Sequence, residues 1–130
     1  MDEMATLDPL ARRLTATNAD DVARIARSLR FRRTLAEQAG RDALAAWYDA
    51  LLVSVSSCGL IFRGTRRVAL AALPSRDLAA LIIDYGRELA QTEIHGGPVT
   101  DVTSTILAEL REEMRQRQVG SAVGSGSWRS

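Results

Sequence analysis

Lysine is absent from this chain, and cysteine and histidine occur once each. With Cys58 as the single thiol no internal disulfide can form, which fits a reducing compartment. Cys58 and His95 together cannot make a His/Cys ligand cluster, and the Glu-x-x-His pattern of a di-iron bundle does not occur, so no metal or other cofactor is expected. A Ser-His-Asp or Cys-His catalytic set would have to use His95. That residue stands in His95-Gly96-Gly97-Pro98, and its plain reading is an exposed loop histidine. Cys58 reads as a small buried side chain rather than a nucleophile. The two glycines of Gly59–Gly64 are not followed by the Lys-Ser/Thr that a phosphate-binding P-loop needs. Aromatics make up only 5% of the chain, so its core must rest on Leu, Ile, Val and Ala. No apolar run approaches the roughly 18 residues that span a bilayer. The acidic start Met1-Asp2-Glu3-Met4 lacks the apolar region of a signal peptide, and a cytoplasmic location without membrane contact is expected.

What is present is the balance of a soluble globular domain. Of 130 residues, 46% are hydrophobic and 25% are charged, and 17 basic against 16 acidic residues leave a net charge of +1. A dedicated DNA-binding domain would be far more basic. All the basic residues are arginine. Coding bias explains that composition, and so does selection for bidentate phosphate or carboxylate contacts; only position separates the two.

The hydrophobic pattern is helical almost throughout, and the most apolar stretch is Asp42 to Cys58. On a helix, Leu44, Trp47, Tyr48, Leu51, Val55 and Cys58 share one face while Leu52 and Val53 fall outside it, as in a helix buried among others. The spacing predicts an all-α bundle of four principal helices, about 18–39, 42–58, 75–92 and 100–118, with short extra helices at 9–16 and 66–73. Asp8-Pro9, Asn18, Ser75 and Thr100 mark helix starts, and Gly40 marks an end. Residues 1–118 read as one domain, and the Gly/Ser-rich stretch 119–130 reads as a flexible tail. The alternating, β-branched run from Leu52 leaves a β-hairpin over Leu52–Arg63 as an alternative to helix plus loop.

Two kinds of residue stand out once catalysis is set aside. Leu60, Ile61 and Phe62 are apolar in a connection between glycines, Ile83 lies off its helix's apolar stripe, and Trp128 sits in a polar tail; these are candidates for contact with a protein partner. Arg24, Arg27 and Arg30 recur every three residues with Phe31 among them, and Arg63, Arg66 and Arg67 follow the apolar connection; these are candidates for phosphate contacts. A helix-turn-helix is disfavoured, because the helix that would enter the groove is the most apolar in the chain. In size, helical build and arginine patches the chain resembles the small subunits of CRISPR effector complexes, and that likeness carries no residue roles. The reading that follows is a non-enzymatic protein-interaction module, as a subunit of an assembly or a homo-oligomer. A phosphate-backbone-binding subunit of a ribonucleoprotein is the alternative. The Arg-rich second helix and the Glu-rich last helix would complement one another between copies.

Overall fold

The computed structural model describes residues 8–58, 62–94 and 96–129, with side chains as far as Gly120. Among these residues there are six α-helices and no strand: α1 (Pro9–Thr15), α2 (Ala19–Gln38), α3 (Asp42–Ser56), α4 (Arg63–Ala71), α5 (Ser75–Glu93) and α6 (Pro98–Arg129). The fold is all-α. Helices α2 and α3 form one hairpin, α5 and α6 a second, α4 packs on α3, and α1 lies across α6 and touches α3.

The local chemistry behind the α2–α3 hairpin is simple. Asn18 accepts a hydrogen bond from the Asp21 amide at 2.8 Å, and Asp20 and Asp21 sit in the first turn where the helix dipole favours negative charge. At the other end Gly40 adopts φ +73°. Its amide donates to the Glu37 carbonyl, and Arg41's donates to that of Ala36, which completes a Schellman cap.

Helix α3 buries Trp47, Tyr48, Leu51, Leu52 and Val55. The β-hairpin alternative is ruled out, since Leu52 to Ser56 continue the helix. Burial of Leu51, Leu52 and Val55 together outweighs the weak strand preference of two valines, each such side chain contributing about 1.5–3 kcal/mol. Ser54, itself buried, donates back to the Ala50 carbonyl at 2.9 Å and so needs no other acceptor. The helix gives way at Cys58, whose φ of 57° is left-handed.

Several boundaries differ from those read in the sequence, with α3 stopping at Ser56 and α4 at Ala71, each two residues early. Helix α4 begins three residues early, at Arg63. Ser75 is the first helical residue of α5 and Pro74 occupies the cap position. Helix α6 begins at Pro98, whose fixed φ suits a first turn. Thr100 therefore does not cap it; its hydroxyl instead donates to the Thr92 carbonyl of α5 at 3.1 Å. Helix α6 also continues to Arg129, past the end read near residue 118. No proline follows Pro98 to end it, and its glycines weaken a helix without breaking it.

Candidate interaction surfaces

The six phosphate candidates do not form one site. Arg66 belongs to the core: its side chain is 1% exposed. Its guanidinium lies 2.7 Å from Asp8 Oδ2 and 2.7 Å from Glu109 Oε2, and it donates to Ser54 Oγ at 3.4 Å. Asp8 also accepts from the Leu10 amide as the N-cap of α1. One arginine thus ties α1, α3, α4 and α6 together, and it is not a phosphate ligand. Four hydrogen bonds to three side chains hold this guanidinium inside the protein, where a solvent anion does not reach it.

Arg24, Arg27 and Arg30 do share the outward face of α2. Arg24 approaches only Asp21, at 3.6 Å. Arg27 and Arg30 have no carboxylate within 4 Å among the described residues. Phe31, beside them, is 65% exposed, and Leu35 one turn on is also exposed. Arg32 and Arg33, further round the same helix, are neutralised by Glu88 of α5 and Asp49 of α3.

Arg63 and Arg67 stand apart from these on α4, exposed and with no carboxylate within 4 Å among the described residues. They form one wall of a groove of about 610 Å³ between α4 and α6. Glu109, Glu112 and Glu113 form the other wall. These glutamates are engaged within the molecule, by Arg66, Arg115 and Arg117 respectively. Glu109 and Glu113 are partly buried in their pairs, while the Glu112–Arg115 pair stands on the surface.

On the other side of α4, a second groove of about 770 Å³ runs between α3 and α4. Ala46, Ala50, Val53, Phe62, Ala69 and Ala72 line it, with Asp49 as a polar member. Val68 stands between the two grooves, lines both, and is 73% exposed. Neither Val68 nor Leu35 stands out in the sequence. The signal for Val68 is nonetheless there: Arg66, Leu70 and Leu73 recur at helical spacing and are buried, which turns Val68 outward. The same spacing points Arg66 inward.

Of the protein-contact candidates, Phe62 is half-buried at the mouth of the α3–α4 groove, and Ile83 is 55% exposed on α5. Leu60, Ile61 and His95 lie outside the described residues, as does the side chain of Trp128.

Where α2, α3 and α5 meet, an aromatic cluster is buried. Trp47 meets Tyr48 at 5.2 Å and Tyr85 edge-on at 6.2 Å, and the Arg32 guanidinium lies 5.3 Å from the centre of the Tyr85 ring. Burial pushes both phenols above their ordinary 10.0, against the opposing pull of Arg32. The indole Nε1 of Trp47 is buried with no hydrogen-bond partner among the described residues. These groups pack α2, α3 and α5 against one another.

No protein family, curated protein or solved structure matches this chain significantly.

Proposed function

We propose that this protein is a non-enzymatic helical interaction module that assembles with copies of itself through α4. The observation that supports this reading is the shape of that face. Val68 forms an apolar ridge with an open groove on either side, one of them lined by alanines, Val53 and Phe62. A ridge and a groove on one face are what a two-fold interface needs, because each copy then offers its ridge to the groove of the other. Gly64 and Ala72 flank Val68 at one-turn spacing, and a Cβ on Gly64 would meet nothing within 4 Å, so a partner helix has room to approach closely.

Light scattering across a range of protein concentrations tests this reading. The wild type is expected to shift from monomer to dimer as concentration rises. Val68→Arg, which changes an exposed position and should leave helicity intact, is expected to stay monomeric. A wild type that is monomeric at every concentration, or an association indifferent to Val68→Arg, would sink the proposal.

A further inference from the structure

The outward face of α2 is a second surface, on a different helix from the α4 ridge. At 100° per residue, Arg24, Arg27 and Phe31 fall within about 60° of arc, with Arg30 about 60° beyond Arg27. Residues 24–33 contain five arginines and no acid. The helix divides these arginines by use. Arg32 and Arg33 turn inward to Glu88 and Asp49, while Arg24 is 70% exposed and Arg27 and Arg30 have no carboxylate within 4 Å among the described residues. The acids near this face, Asp20, Asp21 and Glu37, stand at the two ends of the helix, outside the arginine stretch, and of the three arginines only Arg24 approaches one, Asp21 at 3.6 Å.

We infer that this face binds single-stranded nucleic acid, with the guanidiniums of Arg24, Arg27 and Arg30 on the phosphates and Phe31 stacked on a base. Arg24 to Arg30 spans about 9 Å along the helix. A planar, delocalised guanidinium matches a phosphate with two parallel hydrogen bonds, which a fully hydrated ammonium cannot do. An aromatic ring standing clear of the surface at 65% exposure, flanked by cations, matches a base that is already unstacked. A duplex keeps its bases inside and would meet this ring with nothing to stack. An acidic protein segment would satisfy the arginines but would gain little from the ring.

Fluorescence anisotropy with a labelled oligothymidylate, titrated over a salt series, tests the inference. Binding is expected at low salt, and its logarithm should fall linearly with the logarithm of salt concentration. The double variant Arg27→Ala/Arg30→Ala should flatten that slope by about 1.4, since each phosphate neutralised on a single strand contributes roughly 0.7. Phe31→Ala should weaken binding about tenfold and leave the slope unchanged, since stacking involves no counterions. All three positions are exposed, so circular dichroism should show the same fold in each variant. Absence of binding at low salt would overturn the inference. So would binding that the double variant leaves intact, and so would polyglutamate competing as well as the oligonucleotide, which would assign the face to an acidic protein instead.

Discussion

At the scale of single residues the molecule turns on Arg66. Replacing it with methionine leaves Asp8 buried without its counter-charge, and the expected loss is about 3–5 kcal/mol of unfolding free energy. Glu109→Gln should be milder, about 1 kcal/mol, because Glu109 is partly open to water and its amide replacement can still accept from the guanidinium. Denaturant unfolding at neutral pH checks the order, and equal losses would contradict the role given to Asp8. Tyr48 and Tyr85, the chain's two tyrosines, make a pH prediction. Both phenols are held above 10.0 in the folded protein, chiefly by burial. The unfolded chain releases these protons first, so their contribution to stability is complete below about pH 10 and declines as pH rises beyond it. Tyr85→Phe should remove the larger part of that alkaline decline. Tyrosinate absorbance appearing at the ordinary pH while the protein is still folded would refute the burial argument.

At the scale of elements, helix ends and helix pairs decide the outcome. Arg117 of α6 donates to the Leu70 and Ala71 carbonyls at 3.1 and 3.3 Å, to Ser75 Oγ and to Glu113. It thereby caps the C-terminus of α4, where a positive charge is favoured, and fixes the ridge that carries Val68 against α6. Arg117→Ala is expected to cost about 1–2 kcal/mol in a thermal or denaturant melt. It should also weaken self-association without touching the interface itself. Gly40→Ala is a purely conformational test. No atom lies within 4 Å of the added Cβ, yet φ is +73°, so the loss should be the left-handed cost alone, about 1–2 kcal/mol. Helix α1 has only seven residues, too few to hold by itself. It is kept by Leu10 and Leu14, both fully buried, and by the Asp8 ion pair, so Leu14→Ala should cost about 3 kcal/mol.

At the scale of the whole molecule, a net charge of +1 conceals two surfaces of different character. The proposed assembly, if seated on the alanine-lined side of α4, would join apolar surfaces and change little between low and high salt. Oligonucleotide binding through α2 should weaken steeply over the same range. Parallel salt titrations of the two activities check this, and a common salt dependence would mean that they share one surface. Among the described residues no helix is long and apolar enough to cross a membrane.

The amino-acid pattern alone determined the all-α class and the approximate course of the principal helices. Apolar residues every three or four positions, Asn18 before two aspartates and Gly40 after Ala39 are local signals, and each is satisfied within a turn or two of itself. The buried course of α3 and the outward position of Arg24, Arg27, Arg30 and Ile83 were legible for the same reason. Tertiary structure decided which charges meet. Asp8 and Arg66 are 58 residues apart, and Arg66 and Glu109 are 43. No periodicity joins such distant positions, so an arginine that looked available for phosphate became the centre of the core. The same long-range pairing neutralised Glu109, while Arg115 and Arg117 took up Glu112 and Glu113 within α6. The packing of α4 between α3 and α6 made a ridge of Val68. Whether a charge is free depends on which element folds beside it, and only the assembled bundle fixes that.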